Sequence, residues 1–493
     1  MSKRYVAALD QGTASSRCII FNELGHIVSS AQQDIECTYQ KPGWVQQDAT
    51  DIWASQVGVM ARALTQAKLD VADIAAVGIA NQRETTIVWD KSTGIPVYDA
   101  IVWQCRRSAD FIDSLKRAGL EETIRDKTGL VLDPYFSASK IDWILSNVDG
   151  ARERAVAGEL LFGTVDTWLI WNLTNGKVHA TDYTNASRTM LFNIHSLRWD
   201  EELLAIFDIP RSMLPEVRVS SGDFGVIDNP HIGRGIPIAG VAGDQQAALF
   251  GQCCFNPGEA KSTYGTGCFM LMNTGREPVA SKHGLLTTIA YSDETGVTYA
   301  LEGSIFNAGS AINWLRDGLR LVRSAEETSA IASSVPDTRG CYVVTAFNGL
   351  GAPYWNKNAR GAIVGLTQSV TNKHVVRATL ESLCYQVNDV LRAMEQDSRV
   401  SLKLLRVDGG VSRNDFCMQF QADILGREVH RPAISELTAL GAAFMAGLKV
   451  GIWNDVTDLP ECRGDITTYS SHMAEETRAA LVAGWEDALA RVQ

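Results

Sequence analysis

Leu9-Asp10-Gln11-Gly12-Thr13-Ala14-Ser15-Ser16-Arg17 lies between two apolar runs, Tyr5 to Leu9 and Cys18 to Phe21, whose residue types favour β-strands. Gly12 lets the backbone bend back on itself, so the pattern predicts a hairpin that sets one carboxylate beside a tight, hydroxyl-rich turn. Small hydroxyls and exposed N–H groups in such a turn can face phosphate oxygens, and an aspartate at the strand end can hold Mg²⁺ directly or through water. The same residues equally suit a polar hairpin with a solvated acid. The choice between the two rests on the remainder of the chain.

With 493 residues the chain exceeds what one hydrophobic core serves, and 45% hydrophobic residues are enough to fill two. A formal net charge of −12 argues against a general nucleic-acid binder, whose footprint is basic. The apolar stretch behind Arg4 stops at Asp10, too short for a signal-peptide core, and no run approaches the roughly 18 apolar residues of a membrane span. A cytoplasmic protein with no membrane span is therefore expected. The ten cysteines are scattered with no C-x-x-C pair, which suggests neither a zinc site nor a disulfide framework but reduced, mostly buried thiols.

Outward from the hairpin, His26 to Ala31 supplies a third strand. A helix capped by Asp48 follows, with Ile52, Gln56, Met60 and Leu64 on one face. Ile74 to Ala80 reads as a buried strand running into Asn81-Gln82-Arg83-Glu84, and Ala100 to Trp103 as a second strand running into Gln104-Cys105-Arg106-Arg107. Charged residues just past strand ends sit where α/β sheets open their clefts. Helix signals cover Trp143 to Val148 and Gly163 to Leu173, and the division into domains 1–250 and 251–493 is placed near residue 250. Beyond it, Ala260 to Met272 repeats the strand, glycine turn and strand around Tyr264-Gly265-Thr266-Gly267, which suggests a duplicated α/β domain with a ligand cleft between the halves. A helix is predicted from Thr371 through Met394. Strand Leu402 to Val407 then runs into Asp408-Gly409-Gly410 and a helix to Leu425, where a glycine pair lets backbone approach an anion or nucleotide. Glu436 to Lys449, rich in Ala and Gly, reads as a closely packed helix.

Taken together, Asp10-Gln11-Gly12-Thr13, Asn81-Gln82-Arg83-Glu84-Thr85-Thr86, Gly243-Asp244-Gln245-Gln246-Ala247-Ala248, Tyr264-Gly265-Thr266-Gly267 and Asp408-Gly409-Gly410 resemble the FGGY carbohydrate-kinase family. The resemblance runs from Tyr5 to about Trp453 and includes Gly163 to Leu173 and Thr181 to Ile194. It implies an α/β fold of two actin-like (ribonuclease H-like) ATPase domains with a catalytic cleft between them. The activity it implies is ATP-dependent phosphorylation of glycerol to sn-glycerol 3-phosphate, with ATP and Mg²⁺ as cofactors and a homodimer or homotetramer as the assembly.

Carried over residue by residue, the family pattern sets the polyol against Arg83, Glu84, Tyr135, Asp244 and Gln245, with Trp103 and Phe269 as an apolar wall. Three hydroxyls on a short carbon chain call for convergent donors and acceptors plus a flat surface for the C–H face. Asp244 is the general-base candidate, and it also stands where it could cap the helix predicted over Gln245 to Phe250. Asp10 is assigned to Mg²⁺. Thr13, Ala14, Ser15, Arg17 and Thr266 match phosphate-side positions, and Gly309, Asn313, Gly410 and Asn414 the adenosine side. Ala14 replaces a threonine common in the family and Asn313 a glutamine, so modest changes in ATP affinity are expected. The segments Asp228 to Gly235 and Thr467 to Trp485 depart from the family segments that bind fructose 1,6-bisphosphate and a sugar-transport regulatory protein, so inhibition by either is expected to be weak or absent. Two other readings compete: a kinase for another polyol or a ketose, and an actin-like nucleotide switch without small-molecule transfer. Glu84, Trp103, Tyr135, Asp244 and Phe269 speak against the switch, which needs neither a polyol pocket nor a base.

Overall fold

The computed structural model describes residues 4–493 and contains two large sheets. The first is built from β1 (Tyr5–Gln11), β2 (Ser15–Asn22), β3 (Ile27–Asp34), β4 (Ile74–Asn81), β5 (Val226–Asn229) and β6 (Gly233–Gly243), in the order β5-β6-β4-β1-β2-β3. The opening stretch forms the antiparallel β1–β2 hairpin, with Asp10 opposite Arg17. β4 runs parallel to β1, and β6 parallel to β4, so that Asp10 and Ala242 both lie beside Ala80. The carboxyl ends of β1, β4 and β6 therefore finish at one edge of the sheet. They deliver Asp10, the Arg83-Glu84 pair and Asp244 to the same place, as expected for the cleft of an α/β sheet.

Strand alternation buries both faces of this sheet. Ala7, Leu9, Cys18 and Ile20 pack under α1 (Ala49–Ala67), whose cap Asp48 accepts from the Thr50 N–H at 2.7 Å. Val6, Ala8, Ile19 and Phe21 point to the other face, where they meet Leu440, Ala443 and Phe444. Those residues belong to a helix from far along the chain, which returns to cover the first sheet and packs closely on α2 (Asp244–Gly251). Backbone lies on backbone here: a Cβ on Gly78 would strike the Ala442 carbonyl. That explains the Ala and Gly content of Glu436 to Lys449.

The second sheet comprises β7 (Glu259–Tyr264), β8 (Cys268–Gly275), β9 (Leu286–Asp293), β10 (Gly296–Ile305), β11 (Leu404–Asp408), β12 (Val429–Pro432) and β13 (Ile466–Tyr469), ordered β9-β10-β8-β7-β11-β12-β13. Its β7–β8 hairpin, with β11 parallel to β7 and Asp408 beside Thr263, repeats the β1–β2 hairpin with β4 beside it. Helices α3 (Asn372–Ser398) and α4 (Asp415–Leu425) pack on this sheet, and α6 (Glu475–Ala490) packs against those two helices, α5 being the returning helix Leu437–Lys449. Tyr385 of α3 stacks on Trp485 of α6, their rings 5.3 Å apart.

Two elements differ from the sequence reading. The strand expected over Ala100 to Trp103 stops at Ile101, because Val102 turns into Cys105 and the Trp103 N–H donates to the Thr85 hydroxyl rather than to a neighbouring strand. α3 continues four residues past Met394, until Arg399 adopts left-handed backbone at φ 56°. All ten cysteines are unbridged thiols. Among the described residues no helix is long and apolar enough to cross a membrane.

Candidate active site

Past the end of β4 the chain makes a strained turn: Glu84, a non-glycine residue, sits at φ 60°. Its carbonyl accepts from the Ser137 and Thr86 hydroxyls, each at 3.1 Å. The turn holds Arg83 and Glu84 in the interior, at 3% and 1% exposure, where an unpaired charge would be very costly. Both are paired. Arg83 makes a bidentate contact to Glu302 at 2.7 and 2.9 Å, and Glu84 accepts from Arg188 Nε at 2.6 Å. Arg188 closes the ring through Glu302 at 3.1 Å. Two guanidiniums and two carboxylates thus neutralise each other, and Glu302 comes from β10 of the second sheet. Against the upward push of burial, Arg188 and Arg83 hold the Glu302 carboxyl down to about 2, while burial pushes the Glu84 carboxyl upward against the pull of the same two arginines.

This cluster faces Asp244. Arg83 Nε lies 3.3 Å from the Asp244 carboxylate, whose side chain keeps 29% exposure to the cleft. The same carboxylate accepts from the Gln245 N–H at 2.7 Å, at the first turn of α2, so it also serves the helix end. The Gln245 side chain is engaged by the Lys261 ammonium, which also donates to the Thr263 hydroxyl at 3.0 Å. On the apolar side, Arg188 lies over the Tyr135 and Phe136 rings, and Tyr135 meets Trp103 edge to face at 5.5 Å. Trp103 Nε1 donates to the Thr13 hydroxyl at 2.9 Å, which joins the aromatic wall to the opening hairpin. Phe269 stands half-buried on β8, opposite Thr263, and makes no ring contact with Trp103.

The hairpin itself is tied down from behind. The Gly12 N–H donates to the Ser15 carbonyl, Thr13 donates to Gln82 at 3.1 Å, and Gln47 donates to the Thr13 carbonyl at 2.7 Å. Ala14 is exposed at the tip, and Arg17 pairs with Glu436 at 2.9 Å across the width of the chain. At the second hairpin, the Gly265 and Thr266 carbonyls accept from the Gly309, Ala308 and Ser310 N–H groups. A Cβ on Gly309 would come within 2.7 Å of the Gly265 carbonyl. Gly410 borders open space, Asn313 is exposed, and Asn414 caps α4 while donating to Thr328 at 2.9 Å.

Asp10, the penultimate residue of β1, lies near Asp244 and Glu436. Burial lifts its carboxyl to about 7; Arg17 opposes the rise, and the charges of Asp244 and Glu436 add to it. No cluster of three metal-ligating side chains exists among the described residues. A single carboxylate pressed by other acids, next to a phosphate-sized turn, fits Mg²⁺, which takes one or two carboxylates and fills its remaining positions with water and phosphate oxygens.

Arg188 and Glu302 escaped the sequence reading, although each left a trace. Arg188 lies in the family-like Thr181 to Ile194 segment, and Glu302 is the one acid in the apolar run Tyr299-Ala300-Leu301-Glu302-Gly303.

Residues 5–251 match the N-terminal domain, and residues 260–450 the C-terminal domain, of the FGGY family of carbohydrate kinases. "Glycerol kinase 1" of Clostridium tetani is 61% identical over 488 residues, covering 99% of this chain and 98% of the relative. The glycerol kinase of Lachnoclostridium phytofermentans is 58% identical over 487 residues, with the same coverage. Among solved structures, Plasmodium falciparum glycerol kinase with ADP is 38% identical and superposes with a TM-score of 0.95 over 99% of this chain and 98% of that one. A xylulose kinase from Lactobacillus acidophilus, at 22% identity and a TM-score of 0.88 over 99% and 98% of the two chains, shares the fold. With both halves matched and such relatives along its whole length, the chain belongs to the FGGY family of carbohydrate kinases.

Proposed function

We propose that this chain transfers the γ-phosphoryl group of ATP to glycerol, yielding sn-glycerol 3-phosphate and ADP, as the first step of glycerol catabolism in the cytoplasm. The observation that carries this reading is the paired Arg83-Glu84 turn facing Asp244 at 3.3 Å, in a chain whose curated relatives at 58–61% identity are named glycerol kinase. Arg83, Glu84, Tyr135 and Gln245 supply donors and acceptors to the three hydroxyls, and Trp103 and Phe269 limit the pocket to a short carbon chain. Asp244 orients the terminal hydroxyl and takes its proton as the oxygen attacks the γ-phosphorus. Neighbouring Arg83 keeps that carboxylate turned inward. Thr13, Ser15, Arg17, Thr266 and the Ala14 backbone N–H face the phosphates. Gly309, Asn313, Gly410 and Asn414 line the adenosine side. Mg²⁺ would be held at Asp10, where it supplies neutralisation of phosphate charge.

Residues 1–250 and 251–493 act as two lobes, with the Arg83–Glu302 contact at the base of the cleft between them. Closure around glycerol excludes the water that would otherwise waste ATP. A homodimer or homotetramer is the proposed assembly, with no nucleic-acid partner. A weak or absent response to sugar bisphosphates belongs to the same reading, because Asp228 to Gly235 departs from the family segment that binds them. ADP release measured with glycerol, dihydroxyacetone, xylulose and other polyols tests the substrate: glycerol should give the highest kcat/KM, and a ketose turning over while glycerol stays at the ATP-only background would overturn it.

A further inference from the structure

Asp244 is the first residue of α2 and directly follows Gly243, the last of β6, so its aim depends on how Gly243 is held. Gly243 is gripped on two sides. A Cβ there would lie 2.7 Å from the Arg83 side-chain methylenes, so Arg83 packs flat against its Cα. Its N–H donates to the Thr184 hydroxyl at 2.9 Å, and that hydroxyl donates in turn to Asp182 at 2.9 Å. Asp182 is itself fixed, accepting from the Thr184 and Asn185 N–H groups at 2.9 Å and from the Ser220 hydroxyl at 2.7 Å. Thr184 and Asp182 are fully buried. A hydroxyl whose proton is committed to a carboxylate presents only lone pairs to its other neighbour. The Asp182–Thr184 pair is thus a one-directional acceptor aimed at the Gly243 amide. The adjoining residue extends the same logic, since Asn185 and Asn81 exchange amide hydrogen bonds at 2.9 and 3.0 Å and so pin the end of β4 just before Arg83.

We propose that Thr184 is a positioning residue for phosphoryl transfer, its hydroxyl, oriented by Asp182, fixing the Gly243 amide and through it the direction of the Asp244 carboxylate. The proposal rests on the reading of Asp244 as the base. A small misplacement of such a group lowers the rate of the chemical step, and ground-state binding of the polyol, which is shared among several residues, changes little.

The test compares full-length wild type with Thr184→Val, Thr184→Ser, Asp244→Asn and the Thr184→Val/Asp244→Asn double variant, by initial rates over glycerol and ATP concentrations. Thr184→Val should lower kcat roughly 10–100-fold and leave both KM values within about threefold. Thr184→Ser, which keeps the hydroxyl, should return kcat to within about threefold of wild type. Because Thr184 acts through Asp244, adding Thr184→Val to Asp244→Asn should cost less than about twofold more. Unchanged kcat in Thr184→Val, a serine variant as impaired as the valine one, or full multiplication of the two losses would each overturn the positioning role. Should Thr184→Val fold poorly, Thr184→Ala, which also removes the hydroxyl, takes its place in each comparison, with the same expected and overturning results. Near-normal kcat in Asp244→Asn would instead sink the base assignment, an outcome separate from the other three.

Discussion

The two sides of the cleft are built on opposite principles. The side proposed to take the polyol is built on buried charge: Arg83, Glu84, Arg188 and Glu302 interlock with at most 3% exposure, and each carboxylate faces both arginines. The side proposed to take the nucleotide relies on hairpin tips, glycines and backbone groups, with Ala14, Thr266 and Asn313 exposed and Gly410 beside open space. A ligand of three hydroxyls carries little charge of its own, so its selection requires donors and acceptors that are fixed beforehand in a dry pocket. A polyphosphate brings its own charge and needs mainly N–H groups and a cation to meet it. Substitutions on the first side should therefore be severe and couple activity to stability, whereas those on the second should be mild and confined to the nucleotide.

Glu302→Gln is the hardest blow to the polyol side. It leaves Arg83 and Arg188 with Glu84 as their one remaining carboxylate in the ring. Breaking a buried pair by removing one partner costs about 3–5 kcal/mol. A matching loss in unfolding free energy is expected, together with a roughly 10²–10³-fold fall in kcat/KM for glycerol. Denaturant unfolding and steady-state rates check both, and an unfolding midpoint and kcat/KM close to wild type would remove the contrast between the two sides.

On the side proposed for the nucleotide, Asp10 is a residue whose carboxyl is raised by burial. Its carboxyl is lifted to about 7 from an ordinary 3.8, so between those pH values the folded, nucleotide-free protein binds more protons than the unfolded chain. Stability therefore falls as pH rises through that window, and the cost is complete above pH 7. Asp10→Asn removes the charge and should stabilise the nucleotide-free protein by about 1–3 kcal/mol at pH 8, with little change at pH 4. The same variant should lose roughly 10²-fold in activity and respond less to Mg²⁺. Thermal unfolding at the two pH values, paired with Mg²⁺ titration of the rate, reads out both effects; a variant less stable than wild type at pH 8 would contradict the assignment.

Lys140 tests whether the polyol side is organised beyond its ion ring. Its ammonium is fully buried and donates to the Pro134 carbonyl at 2.8 Å, to Phe136 at 3.1 Å and to Tyr135, the segment that carries the pocket tyrosine. Lys140→Met leaves those carbonyls without their donor, at about 1–3 kcal/mol for a buried group left unsatisfied. The expected result is a roughly tenfold higher KM for glycerol with the ATP KM unchanged. Equal changes in both constants would point to general loosening instead.

Much of this contrast was legible in the sequence, but unevenly. The hairpins, β4 and the helices announce themselves through local signals: Gly12, the Asp48 cap and the alternation of Val6, Ala7, Ala8 and Leu9 each act within a few residues. Arg83 and Glu84 follow from their position just past a strand end, whereas Asp244 is carried by the family resemblance. What local pattern cannot carry is pairing across the fold. Arg83 finds Glu302 219 residues away and Arg17 finds Glu436 419 residues away, and no spacing rule links such positions. The return of α5 to the first sheet was hidden for the same reason. Its small residues signalled close packing, but the partner, Gly78, lies in the other half of the chain.

The mildest prediction falls on the opening hairpin itself. Ala14 is exposed at the tip, and its carbonyl already accepts from the Ile35 N–H at 2.9 Å, so the backbone there is set independently of the side chain. Ala14→Thr adds a hydroxyl beside that of Ser15, the Thr13 hydroxyl being engaged by Gln82 and Trp103, without displacing any buried group. One added neutral hydrogen bond is worth about 0.5–1.5 kcal/mol when well aligned, and an exposed one falls at the low end. The KM for ATP should drop roughly threefold, with kcat, the KM for glycerol and the unfolding midpoint unchanged. A shift in the KM for glycerol would be the telling result. Thr13 joins this hairpin to Trp103, and such a shift would mean that the phosphate turn and the polyol wall move as one unit rather than as two sides with separate rules.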